Sequence, residues 1–230
     1  MAVNKARYYV GTAPGANYWL LRTEDESSEY AIEEDYWVAA AEFADSIGVD
    51  VVNTSLYYTS HDGLMRYKYE DMNGKTSFAS RGAAMAADKG ILVICCAGND
   101  QSWVGTPAEA TDVLAVGSIN RTGNIDNFTS YGITVDGRMK PDVVALGGSA
   151  GVIDITGKPM NRSGTSYASP IVCGLAACLW QAYPKLTNKD LLDIFRKASN
   201  RYGSPAVPYG YGLTDMNKAV QLAQSVSAGK

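Results

Sequence analysis

Histidine is almost absent from this chain of 230 residues: His61 stands alone, so chemistry that needs an imidazole base has one candidate. No C-x-x-C spacing joins the four cysteines, Cys95, Cys96, Cys173 and Cys178, which argues against a zinc site. The first two lie in an apolar run and the others in an expected helix, so they read as buried free thiols. No run approaches the ~18 apolar residues of a membrane span, and Met1–Arg7 lacks the apolar core of a signal peptide. Lysine and arginine form no stripe, and 20 of them against 24 acidic residues leave a net charge of −4. Neither nucleic acid nor an anionic membrane is therefore an expected partner.

What is present is ordinary for a globular protein, 46% hydrophobic and 19% charged, and one domain spanning 1–230 is expected. Acidic residues gather in Glu24, Asp25, Glu26, Glu29, Glu33, Glu34 and Asp35, which read as a solvated helix entrance. Strand-like apolar runs alternate with helix-length amphipathic ones, the pattern of an α/β fold with a parallel sheet and helices on both faces. The first strand is expected at Asn17–Leu21, after the turn Gly11-Thr12-Ala13-Pro14-Gly15. A helix follows from about Glu33 to Ile47, with Ile32, Tyr36, Ala40, Phe43 and Ile47 on one face and Gly48 as its stop. Val49–Leu56 is continuous rather than alternating, as buried parallel strands are. Ser77–Lys89 reads as a helix with a narrow face of Phe78, Gly82, Ala83 and Ala86. Strands are expected at Ile91–Ala97, Val113–Val116 and Val143–Ala145, and a central apolar helix at Ser166–Tyr183. Thr187 and Asp190 cap another helix, and a last one spans about Asp215–Ala223.

Two segments carry chemistry. In Gly164-Thr165-Ser166-Tyr167-Ala168-Ser169-Pro170 a glycine supplies a tight turn and a serine opens a long helix, with proline read as lying in the first turn. A hydroxyl there sits among free N–H groups that stabilise negative charge. An isolated G-T-S is more often only a helix cap. The strand Ile91–Ala97 ends in Gly98-Asn99-Asp100, at the carboxyl end where α/β sheets bind ligands. The Asn99 amide can donate to an oxyanion there, or simply form a turn.

Taken together, the two segments resemble the subtilisin-like serine peptidases, the subtilase family, and further motifs agree in order. Gly11-Thr12-Ala13-Pro14 looks like G-V-A-P, Val52-Asn53-Thr54-Ser55-Leu56 like V-I-N-M-S-L, and Pro107 through Gly117 like P-A-x-x-x-x-V-I-A-V-G. Phe128-Thr129-Ser130-Tyr131-Gly132 looks like F-S-S-Y-G, Lys140-Pro141-Asp142-Val143-Val144-Ala145 resembles K-P-D-V-V-A, and Gly210-Tyr211-Gly212 matches the closing G-Y-G. The resemblance covers nearly the whole chain. It implies a subtilisin-like three-layer fold, Ser166 as nucleophile, and Asn99 with the Ser166 N–H as oxyanion hole. It also implies a peptide or protein substrate held between Ser55-Leu56-Tyr57 and Ala97-Gly98, with Gly164 and Thr165 beside the nucleophile. Tyr57 replaces a usual glycine and is expected to obstruct the first wall.

The family's triad runs Asp, His, Ser along the chain. Its first two members should precede Gly11, where no Asp or His occurs, so Met1 reads as an internal methionine just past H-G-T. The chain is expected to lack the N-terminal strand and histidine helix. His61-Asp62 follows the Ser55-Leu56 strand and reads as an exposed loop histidine, over the cleft rather than beside the serine. Without a base a serine hydroxyl is a poor nucleophile. Inactivity on its own is therefore expected, with a non-catalytic peptide-binding module as the alternative. The resemblance suggests a secreted or periplasmic parent. No cofactor is expected, and calcium binding is left open, because no carboxylate cluster has convincing oxygen-ligand spacing. Two sheet edges should face a gap, filled by closure of Asn17–Leu21 onto Val49–Leu56, by a second copy, or by the missing segment.

Overall fold

The apolar runs that do not alternate become the parallel sheet. The computed structural model describes residues 1–5, 9–63 and 66–230. Along the chain come β1 (Asn4–Lys5), β2 (Tyr9–Val10), α1 (Ile32–Ser46), β3 (Val51–Thr54), α2 (Phe78–Asp88), β4 (Leu92–Cys96) and β5 (Leu114–Ile119). They are followed by β6 (Gly132–Ile133), β7 (Met139–Lys140), β8 (Val143–Leu146), β9 (Ala150–Ile153), β10 (Pro159–Arg162), α3 (Thr165–Ala182), α4 (Asn188–Ala198) and α5 (Met216–Ala228). β3, β4, β5 and β8 pair in that order, all parallel. The remaining strands form three short antiparallel pairs.

Strand period sorts the core into two faces. Leu92, Ile94, Leu114, Val116, Val143 and Ala145 pack with Ala168, Val172, Ala176 and Leu179 of α3 and with residues of α4 and α5. Val93, Cys95, Val113 and Ala115 pack with Trp37 and Ala41 of α1 and with Ala79, Ala83 and Ala86 of α2. The expected fold class, a parallel sheet covered on both faces, is what forms. Gly82 sets the distance between α1 and α2: a Cβ there would stand 2.7 Å from Val38 Cγ2. Thr187 caps α4 in a reciprocal box with Asp190, as its spacing predicts, and α5 runs further than expected.

Several expectations fail, each for a physical reason. Asn17–Leu21 is no strand: it pairs with nothing, and Leu20 is 93% exposed. Short apolar runs do not specify a ladder partner, and none lies within reach of this one. It faces β3 across a groove of about 1330 Å³ without closing on it, so β3 is a sheet edge. The helix α1 forms, but turned: Glu33, Glu34, Trp37, Ala41 and Ala44 are buried, while Ile32, Tyr36, Phe43 and Ile47 are exposed. Both stripes keep helical spacing, and the close packing on α2 selects the one with small residues. The acidic stretch is accordingly not wholly solvated, since Glu33 and Glu34 are buried. Cys95, Cys96 and Cys173 are buried as expected, but Cys178 is exposed, because the side of α3 that carries it looks into the groove. No helix among the described residues is long and apolar enough to cross a membrane.

Candidate active site

The turn into α3 depends on Gly164, whose φ of 152° few residues with a Cβ adopt. Ser166 is the second residue of that helix. Its Oγ donates to the Ser55 carbonyl at 3.2 Å, and the Ser55 Oγ donates back to the Ser166 carbonyl at 3.0 Å. This exchange explains a proline that the sequence alone misplaces. Pro170 is not in the first turn but is the sixth helical residue. Having no N–H, it cannot satisfy the carbonyl four residues earlier. That carbonyl belongs to Ser166, and the hydroxyl of Ser55 takes the place of the missing donor.

Asn99 lies just beyond β4, at the carboxyl end of the sheet. Its Oδ1 accepts from the Thr165 N–H at 2.9 Å and from the Thr165 Oγ1 at 3.0 Å, which fixes the amide plane. Its Nδ2 stands 3.8 Å from where a Cβ on Gly164 would be. Ser166 and Asn99 are therefore neighbours, joined through Thr165. The Thr165 hydroxyl also binds both the N–H and the carbonyl of Gly98, at 3.2 and 3.3 Å. First-turn N–H groups such as that of Ser166 have no acceptor within the helix.

The two expected walls meet at these residues. Ser55 is tied to Asn53, whose Nδ2 donates to Ser55 Oγ at 3.1 Å and whose Oδ1 accepts from Ser169 at 2.7 Å, so β3 is pinned to α3. The Tyr57 ring lies against Gly98 and Gly105, and its hydroxyl donates to Asp100 at 3.1 Å. Burial and the Asp100 charge push the Tyr57 hydroxyl up to about 12, so it stays protonated. Tyr57 thus bridges from one wall to the other. Cys96, next to Thr165 and Ser166, is pushed up to about 11 by burial and remains a neutral thiol.

His61 is not the exposed loop residue expected from sequence. It is buried, and its Nε2 bonds Glu34 Oε1 at 3.0 Å, with Tyr58 and Tyr67 rings on either side. Glu34 also accepts from Ser77 Oγ at 2.6 Å, from the Ala79 N–H at 2.9 Å and from the Tyr67 hydroxyl. Burial pushes the Glu34 carboxyl up, but these donors outweigh it and hold it below its ordinary value. Sequence reading missed this network because Glu34 and His61 are 27 residues apart and nothing local marks them as partners. The hydroxyl of Ser166 is bonded to a carbonyl, and the chain's single imidazole is bonded elsewhere.

The sequence profile of the Subtilase family matches residues 1–213. The chain is 25% identical to a thermostable alkaline protease of Halalkalibacterium halodurans over 221 residues, 96% of this chain and 55% of that protein. It is 28% identical to subtilisin amylosacchariticus of Bacillus subtilis subsp. amylosacchariticus over 232 residues, 96% of this chain and 53% of that one. The chain thus spans about half the length of these curated relatives. Among solved structures, the epidermin leader peptide processing serine protease of Staphylococcus aureus superposes with a TM-score of 0.73 at 19% identity, covering 93% of this chain and 60% of that one. The self-cleaved protease domain of PatA gives 0.68 at 20% identity, covering 84% and 68%.

Proposed function

Because the chain belongs to the subtilase family of serine peptidases, we propose that it is part of the catalytic domain of a serine endopeptidase, with Ser166 as nucleophile and Asn99 as oxyanion donor. In that reaction the Ser166 Oγ attacks a peptide carbonyl and gives its proton to a base. The carbonyl oxygen becomes an oxyanion between Asn99 Nδ2 and the Ser166 N–H. Its collapse expels the amine, which takes up the proton, and leaves an acyl group on Ser166 for water to remove. The convergence of Asn99 and Ser166 through Thr165 carries this reading. Ser55, Leu56, Tyr57, Ala97 and Gly98 flank the extended peptide, with Gly164 and Thr165 shaping the turn that presents the hydroxyl. Tyr57, reaching from one wall to Asp100, narrows the entrance and favours slender side chains beside it.

The proton acceptor is the part these residues do not supply. His61 is engaged by Glu34, and Ser166 Oγ finds only a carbonyl. The chain by itself is therefore inert, and an oxyanion hole without a base gives only about 10³–10⁴-fold over water. The groove beside β3 is suited to an extended segment. A free strand edge forms one wall, and Trp19, Leu20, Leu21 and Ile47 are exposed along it. A segment bearing an aspartate and a histidine on that edge would complete the sheet and bring a base to Ser166.

The test is labelling with a fluorophosphonate probe, which needs an activated serine. The 230-residue chain should remain unlabelled, while polypeptide that supplies the acid and imidazole on the β3 side should restore labelling, lost again in Ser166→Ala. Labelling of the chain alone would overturn its inertness. Failure of any completed form to label, with peptide still bound, would favour a non-catalytic binding module. A homodimer by size-exclusion chromatography would mean that a second copy pairs along β3 instead.

A further inference from the structure

Away from Ser166, the loop that leads into α1 gathers three carboxylates. Glu24, Glu29 and Glu33 each offer an oxygen, and these oxygens lie within 4.8 Å of one another. Three like charges so close repel strongly unless something positive lies between them. No lysine or arginine forms an ion pair with any of the three among the described residues. Closeness alone does not make a site, but two buried polar atoms nearby are left without partners. Glu33 is 1% exposed; its Oε1 accepts from the Asp25 N–H at 3.0 Å, while its Oε2 has no hydrogen-bond partner. His61, whose side chain is fully buried, uses Nε2 for Glu34 and leaves Nδ1 unpartnered. Its ring lies 5.5 Å from that of Tyr58, whose hydroxyl donates to Glu24 Oε1 at 2.6 Å. A buried carboxylate oxygen without a donor is costly, and a cation is what satisfies it.

We propose that Glu24, Glu29 and Glu33 bind one hard divalent cation of the calcium class. Oxygens on a single ion can be separated by at most twice the metal–oxygen distance, about 4.6–5.2 Å for calcium and about 4.0–4.2 Å for magnesium. The upper limit of 4.8 Å on their separation leaves room for either ion, and the choice falls on calcium because it takes protein carboxylates as most of its shell, whereas magnesium gives up its waters reluctantly. Glu29 is exposed, so water can complete the shell, and His61, whose Nδ1 has no partner, is near enough to act electrostatically on both Glu24 and Glu29. The ion would act on the cleft at one remove. Tyr58 exchanges two backbone hydrogen bonds with Thr106, at 2.8 and 3.1 Å, so fixing Glu24 fixes the strip between the substrate walls.

Terbium, which occupies calcium sites and emits when a nearby tyrosine is excited, tests this directly, because Tyr58 touches Glu24. The metal-free chain should show saturable tyrosine-sensitised emission that calcium displaces far better than magnesium. Saturating calcium, at about 100 times its Kd, should raise Tm by about 5–10 °C. Glu29→Gln changes an exposed residue and should still fold, as circular dichroism would verify. It should weaken terbium at least about 10-fold, whereas Glu42→Gln, exposed elsewhere on α1, should bind like the parent. Absence of saturable emission, or unchanged affinity in Glu29→Gln, would show that the carboxyls share protons instead of an ion.

Discussion

Replacing Ser55 by alanine probes how a helix accommodates the proline that follows its key serine. With Pro170 in place, the Ser166 carbonyl has no donor within α3 and depends on the Ser55 hydroxyl at 3.0 Å. Leaving a part-buried carbonyl unsatisfied costs about 1–3 kcal/mol. In a Pro170→Ala background, residue 170 regains an N–H that reaches that carbonyl in the ordinary helical pattern. Ser55→Ala should then cost less, because only the 3.1 Å bond from Asn53 Nδ2 is lost. The expected coupling between positions 55 and 170 is about 1 kcal/mol, well above the few tenths seen for independent sites. Urea titration of the four proteins measures it, provided the m-values agree. In thermal unfolding the same coupling is worth about 2–4 °C. Equal destabilisation by Ser55→Ala in both backgrounds would refute the exchange of donors.

Three further outcomes follow from other parts of the fold. Asp142 is buried between Lys140 Nζ at 2.8 Å and Arg196 Nη2 at 2.5 Å; burial pushes its carboxyl up, but the two cations outweigh that and hold it low. Asp142→Asn should therefore cost about 3–5 kcal/mol by leaving Lys140 unpaired, read as a fall in the urea midpoint. Gly82→Ala inside a helix would ordinarily stabilise by about 1 kcal/mol. Here the new Cβ meets Val38 at 2.7 Å, so net destabilisation is expected, and a raised midpoint would contradict the close helix contact. Glu34, held below its ordinary value of 4.5, contributes stability that is complete above that pH and is lost as pH falls through its folded pKa. Glu34→Gln should flatten the acid limb of the stability profile, and an unaltered limb would count against the network.

Local pattern and motif order in the sequence were enough to determine the sheet, its covering helices and the closeness of Asn99 to the turn that carries Ser166. Continuous apolar runs such as Ile91–Ala97 are the pattern of strands buried on both faces of a parallel sheet, and the capping box at Thr187 is a three-residue signal. What the sequence left open was everything decided by partners far along the chain. Ile32, Tyr36, Phe43 and Ile47 keep helical spacing as faithfully as the stripe that is actually buried, and only contact with Gly82 chooses between them. Asn17–Leu21 is apolar enough for a strand, but a strand exists only with a neighbour to take its hydrogen bonds. His61 meets Glu34, and Glu24, Glu29 and Glu33 gather, only when the loop before α1 folds against the segment after β3. Periodicity is a property of neighbours in sequence, whereas charge pairing and edge satisfaction depend on what folding brings within a few ångströms.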